Sequence, residues 1–180
     1  YDDLFTFHRK RIEEFCGLLR KRPLHMTFNC AVRLGHIDDD LLKMLKAAGC
    51  WMVSLGIESG DPEILLRHKS KVSPDEMMTA IKQIQKNGLR AKGLFMMGLP
   101  GETESTIKRT ADFIEKLELD DMNMTKFTPF PGSPAYKTIH EEGFFDEKWE
   151  LMNCMNFVFV PKGIESKERL EELYKQFIKK

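Results

Sequence analysis

No run of this sequence stays apolar for the roughly 20 positions that a bilayer-spanning helix needs; the longest, such as Leu94 to Leu99, falls far short. The N-terminus, Tyr-Asp-Asp-Leu, lacks a starting Met and the basic and apolar regions of a targeting signal. Charge of neither sign is in excess, since Lys+Arg and Asp+Glu both number 28, so no nucleic-acid partner is expected. No Gly/Ser/Pro tract divides the 180 residues. These absences point to a soluble, cytoplasmic protein without membrane contact, to one core, and to a piece excised from a longer chain. A small-molecule substrate or another protein domain is the expected partner.

Metal-binding patterns are missing too. Cys16, Cys30, Cys50 and Cys154 are 14, 20 and 104 positions apart, which matches neither a zinc motif nor close-spaced iron–sulfur ligands. They are expected to be buried, reduced thiols packed as small hydrophobes, and no metal ligand is assigned. His8, His25, His36, His68 and His140 form no H-E-x-x-H pair; surface or capping roles are expected for all five. Phe157, Phe159 and Trp149 read as core.

What the sequence does contain is an alternation of helix and strand. Arg9 to Arg20 places Ile12, Phe15, Leu18 and Leu19 on one helical face, with Pro23 as a stop. Met26 to Val32 reads as a strand. Asp38 is a candidate N-cap for a helix buried through Leu41, Leu42, Leu45 and Ala48, and Gly49 ends it. Trp51 to Ile57 is a nearly continuous apolar strand, as expected where both sheet faces are covered. Ser73-Pro74-Asp75-Glu76 is a capping box before Met77, Met78, Ile81 and Ile84, and Gly88 closes that helix. Lys92 to Gly98, Thr103 to Leu117 and Met122 to Phe127 read as strand, helix and strand. Beyond Pro134 the pattern loosens until a helix capped by Ser166 with Leu170, Leu173, Tyr174 and Phe177 inward. This order argues for a parallel α/β sheet with right-handed crossovers, doubly wound or curled toward a barrel. Ligands then belong at the C-terminal ends of the strands.

Polar and glycine-rich residues collect at those exits. Glu58 follows an apolar strand, where its carboxylate can accept two hydrogen bonds from a ribose diol; Ser59 and Gly60 follow, and Gly60 lets the backbone turn close to a ligand. The alternative is an acidic residue near a helix start, with Asp61-Pro62 as N-cap and first position. Gly93, Gly98 and Gly101 suggest a phosphate loop, but no Gly-Lys-[Ser/Thr] and no G-x-G-x-x-G is present, leaving a plain strand–loop–helix turn as the alternative. Arg33 can pair with a carboxylate or be an exposed loop residue. Pro129 to Pro134 makes a stiff loop whose carbonyls can accept from an adenine amino group, or a rigid turn only.

Asp2-Asp3-Leu4-Phe5, Arg33, Gly56-Ile57-Glu58-Ser59-Gly60, Gly93 through Gly98-Leu99-Pro100-Gly101-Glu102, and Thr128-Pro129-Phe130-Pro131-Gly132-Ser133 occur in the order typical of radical S-adenosylmethionine (SAM) proteins. Residues 1–145 resemble that superfamily, most of all the cobalamin-associated branch of anaerobic magnesium-protoporphyrin monomethyl ester oxidative cyclases. The resemblance implies a partial TIM-like barrel of parallel strands, truncated at its N-terminal side, with residues 146–180 a helical extension of the same domain. It implies a [4Fe–4S] cluster and SAM, reductive cleavage of SAM, and hydrogen abstraction by a 5′-deoxyadenosyl radical, with cobalamin as a further cofactor through a domain outside the chain. By it, Asp2 or Asp3 would sit near the methionine amino group, Glu58, Ser59 and Gly60 near the ribose, and Gly98, Gly101, Glu102, Pro129, Pro131 and Gly132 around the adenine. Arg33 would meet the SAM carboxylate or the substrate. No catalytic side chain is assigned.

The family's C-x-x-x-C-x-x-C motif is not among these residues, so the chain alone is expected to be inactive and its missing N-terminal part to be a partner. The strand at Met26 to Val32 would then be an open edge, prone to dimerisation, swapping or protection by a terminal segment. Two other readings stand beside this one. The first is a cluster-free nucleoside- or partner-binding module of the same ancestry; the second is an unrelated aldolase-like barrel using Lys126 and Glu58.

Overall fold

The structure, a computed structural model, describes residues 4–22, 24–69 and 72–178. The stop expected at Pro23 and the site residues Asp2 and Asp3 lie outside the described residues. In chain order the elements are α1 (Arg9–Lys21), β1 (Phe28–Val32), α2 (Asp39–Ala47), β2 (Cys50–Glu58), α3 (Pro62–Lys69), α4 (Pro74–Lys86), β3 (Arg90–Met97), α5 (Glu104–Lys116), β4 (Asp121–Lys126), α6 (Pro134–Glu142), β5 (Gly143–Phe145), β6 (Phe159–Pro161) and α7 (Lys167–Phe177). The four longer strands form one parallel sheet in the order β1-β2-β3-β4. Among the described residues no helix is long and apolar enough to cross a membrane.

The chain divides into two compact units. The first holds the described residues up to Ile57 with Ser73–Leu94 and Leu117–Asn123; the second holds Glu58–Val72, Phe95–Lys116 and the described residues from Met124 onward.

In the first unit the helix starts follow the side-chain chemistry. The Asp38 carboxylate accepts the Leu41 N–H at 2.7 Å and caps α2. At α4 the Ser73 N–H donates to Glu76 Oε2 at 2.7 Å while the Glu76 N–H donates to Ser73 Oγ at 3.2 Å, a complete capping box. Leu41, Leu42 and Leu45 of α2 and Met77, Ile81 and Ile84 of α4 are buried. Ala48 is only half-buried, because it is the last residue of the turn, where the helix already gives way to Gly49. In α1 the buried stripe is Ile12 and Cys16, one turn apart; Phe15 and Leu18, expected inward, are exposed. Phe15 instead stacks edge-on with Phe5 and Phe28, at 5.4 and 5.7 Å between centroids. The one-turn 3-10 helix at Phe5–Phe7 packs against β1, which stands at one end of the strand order.

In the second unit α6 is capped by Ser133 and α7 by Ser166. The sequence pattern did not reveal the antiparallel β5–β6 pair, whose three-residue strands are too short to show a period. Phe157 and Phe159 are fully buried, as expected, but Trp149 is exposed, because it sits in a short 3-10 turn between these strands rather than on either one.

Gly49 adopts φ +98°, and a Cβ there would lie 2.9 Å from the Met26 carbonyl oxygen. Gly49→Ala is therefore expected to lower the unfolding free energy by about 1–2 kcal/mol from the left-handed backbone alone, more with the clash. Urea denaturation checks this; an unchanged midpoint would contradict the geometry.

Candidate functional site

β3 ends at Met97, and the chain turns through Gly98, Leu99, Pro100 and Gly101 to Glu102 before α5 begins. Gly98 and Gly101 both have φ +88°. The Glu102 side chain folds back beneath this turn, its Oε2 accepting the N–H of Gly98 at 2.7 Å and of Leu99 at 3.1 Å. Glu102 is 1% exposed. Burial moves its pKa from the ordinary 4.5 to about 7, opposed by the two N–H donors and assisted by the nearby Asp61 carboxylate. Glu102 thus shapes the loop from within. A Cβ at Gly98 would stand 3.1 Å from the Phe157 ring, and one at Gly101 would stand 2.8 Å from the Arg67 guanidinium.

Glu58 closes β2 with φ +70°. A non-glycine residue in the left-handed region is uncommon, and such strain collects at functional positions. The Glu58 side chain is half-buried. Ser59, by contrast, is fully buried: its Oγ lies 2.9 Å from Thr110 Oγ1 and accepts the Asp61 N–H. Gly60 donates its N–H to the same Thr110 oxygen at 3.0 Å, and a Cβ there would stand 2.5 Å from the Phe113 Cβ. Ser59 and Gly60 fasten the turn to α5. Asp61 caps α3 by accepting the N–H groups of Glu63 and Ile64, and its second oxygen pairs with Arg109. The turn therefore holds a helix start and a strained exit carboxylate together, so the two readings of this segment do not exclude each other.

The third exit leaves β4 through Thr128 to Ser133. The Phe127 N–H donates to the Met97 carbonyl at 2.9 Å, so the loops after β3 and β4 start side by side. Pro129 is buried, Pro131 and Gly132 are exposed, and Gly132 has φ +86° with open space around it. A cavity of about 540 Å³ opens here, with Pro100 from one loop and Thr128 and Phe130 from the other on its wall, beside Met96 and Phe127. Its size falls within the range of about 300–1,000 Å³ usual for small-ligand sites. Its wall combines apolar surface from Met96, Pro100, Phe127 and Phe130 with the polar side chains of Arg67, His68 and Glu142.

Arg33 lies in the first unit, exposed just after β1. The cysteines are not arranged for a cluster. Cys16, Cys30 and Cys50 are buried, Cys154 is half-buried, and Cys30 Sγ lies 3.9 Å from Cys50 Sγ. The Cys50 thiol and burial push the Cys30 pKa up, which keeps it a protonated, inert thiol. Among the described residues no three His, Cys, Asp or Glu are grouped to hold a metal ion. The described residues therefore offer no ligand set that fits a [4Fe–4S] cluster. Lys126 does not serve as a free amine: Nζ meets both Glu171 oxygens, at 2.7 and 2.8 Å, and sits 4.6 and 4.8 Å from the Phe157 and Tyr174 ring centres.

The sequence reading missed Arg67, His68 and Thr110. Their partners are 32 to 75 positions away, and no local pattern signals such contacts.

The sequence profile of the radical SAM superfamily matches residues 3–114, more than half of the chain. An uncharacterized methyltransferase of Pyrococcus horikoshii is 29% identical over 178 residues, covering 98% of this chain and 39% of that protein. An anaerobic magnesium-protoporphyrin IX monomethyl ester cyclase of Rubrivivax gelatinosus is 27% identical over 179 residues, covering 98% and 32%. The coproporphyrinogen III oxidase of Escherichia coli, a radical SAM enzyme, superposes with a TM-score of 0.71 at 15% identity, covering 96% of this chain and 36% of that one. The chain spans about a third to two fifths of the length of each. The structural likeness shows the fold, part of a TIM-like α/β barrel.

A pH test probes the buried glutamate. Because its folded pKa is raised, the folded state holds the proton that the unfolded state releases, so this group's contribution to stability is complete below about pH 4.5 and is lost as pH rises through about 7. Urea unfolding at pH 4.5 and 8 should show a decline in the wild type that Glu102→Gln removes, since a neutral amide oxygen still accepts both N–H groups. An equal decline in both proteins would count against it.

Proposed function

The chain belongs to the radical SAM superfamily, and on that premise we propose that its second unit cradles the adenosine part of S-adenosylmethionine. The observation that carries this reading is the adjacency of the Gly98–Glu102 and Thr128–Ser133 loops around one cavity, beside strands that end in the order the family uses. In the proposal the Glu58 carboxylate accepts from the ribose diol, the carbonyls of Pro129 and Pro131 accept from the adenine amino group, and Pro100 and Phe130 enclose the base, with Gly132 leaving room at the rim. The family resemblance adds Asp2 or Asp3 for the methionine amino group and Arg33 for a carboxylate, as assignments that rest on the resemblance alone.

Members of the superfamily use SAM and a [4Fe–4S] cluster, which together supply hydrogen-abstraction chemistry. We propose that the whole protein performs such chemistry in a cyclase-like or methyltransferase-like reaction, with cobalamin as the branch resemblance implies. These 180 residues would not do so alone, because no three-cysteine ligand set is among them. In this reading the upstream part of the protein is the partner of the β1 edge. That same missing ligand set supports a second reading, a cluster-free nucleoside-binding module.

Titration of the chain with S-adenosylhomocysteine, followed by NMR, is expected to shift the Gly98–Glu102 amides. Glu58→Gln should weaken binding at least about tenfold, the loss of hydrogen bonds to a charged group; unaltered affinity would sink the ribose assignment. Anaerobic reconstitution with iron, sulfide and reductant is expected to give 5′-deoxyadenosine from the full-length protein and none from this chain. A full-length protein that yields none would favour the module.

A further inference from the structure

We infer that α3 is a strut joining the two sides of the proposed nucleoside site, and that His68 is a positioning residue that latches the Gly98–Glu102 loop in its binding shape. The inference deepens the reading above and rests on it.

The helix begins in the turn that follows Glu58, where Asp61 caps it and Ser59 and Gly60 tie its start to Thr110. Eight residues later, roughly 12 Å along a helix axis, its last turn meets the other loop. His68 Nε2 lies 2.7 Å from the Pro100 carbonyl oxygen. A carbonyl only accepts, so Nε2 carries the hydrogen. Arg67, one position earlier, pairs with Glu142 of α6 and places its guanidinium where a side chain at residue 101 would stand. Glu102 occupies the N–H groups of Gly98 and Leu99, which fixes the first half of the loop from beneath. Pro100 has no N–H, so its carbonyl is the polar backbone atom by which the second half can be held from outside. His68 takes that atom. Partial burial lowers its pKa and keeps the ring neutral at pH 7, with a single N–H committed to this bond. Arg67, His68 and Pro100 share the wall of the same cavity, so a displaced His68 would move the wall itself.

Two variants and two readouts decide the matter in the 180-residue chain. Histidine 68 to alanine (His68→Ala) is expected to speed hydrogen exchange of the Leu99 and Glu102 amides, and to weaken S-adenosylhomocysteine binding, each by about fivefold to tenfold, as for one lost neutral hydrogen bond. His68→Gln, whose amide N–H can reach the same carbonyl, is expected to restore both to within about twofold. Wild-type exchange in His68→Ala would overturn the latch, as would a glutamine variant as impaired as the alanine one. Faster exchange with unchanged affinity would overturn the positioning role. If the wild type binds no adenosine ligand, the nucleoside reading fails, while the exchange data still decide whether His68 holds the loop.

Discussion

The buried carboxylate of Glu102 governs how the chain leaves β3. By occupying the N–H groups of Gly98 and Leu99, it removes the donors that a glycine-rich loop would otherwise turn toward an anion. From outside, the loop's second half is covered by side chains of α3, with His68 on the Pro100 carbonyl and the Arg67 guanidinium against Gly101. The neighbouring acid, Asp61, is compatible with this arrangement because Arg109 pairs with it, so the two buried carboxylates do not confront each other unshielded.

Local signals in the sequence proved sufficient for most of the scaffold. The caps at Asp38, Ser73 and Ser166 each bond the N–H three positions on, and the continuous apolar run of β2 is covered on both faces. Caps and periodicity act within four residues of chain, which is why they can be read from it. The errors arose where tertiary packing chose between near-equivalent faces. Phe15 and Leu18 satisfy a helical period, yet the buried stripe of α1 is centred on Cys16. The hydrogen bonds of Ser59 and Gly60 to Thr110 likewise depend on a helix about 50 positions away. A motif fixes which residues lie at a strand exit, but the helix packed behind it decides which atoms remain available.

Family membership and geometry contribute different things to the functional reading. The profile match and the relatives identify the ancestry, and the relatives are two and a half to three times as long as the aligned chain. Within the second unit, the loops after β3 and β4 share one cavity, while the buried thiols of the first unit sit in the core as packing groups. Lys126, held by Glu171 and two aromatic rings, secures α7 to β4 and takes no part in that site.

The closures at Gly60, Gly98 and Gly101 bear on the thermodynamics of recognition. Phe113, Phe157 and Arg67 already fill the space that side chains would occupy there, so the backbone around the cavity is wedged in place by the protein's own interior. A ligand arriving at such a rim finds it preorganised, and little conformational entropy remains to be lost on association. Affinity at a surface of this kind responds to the shape and polarity of the guest more than to the cost of ordering the host.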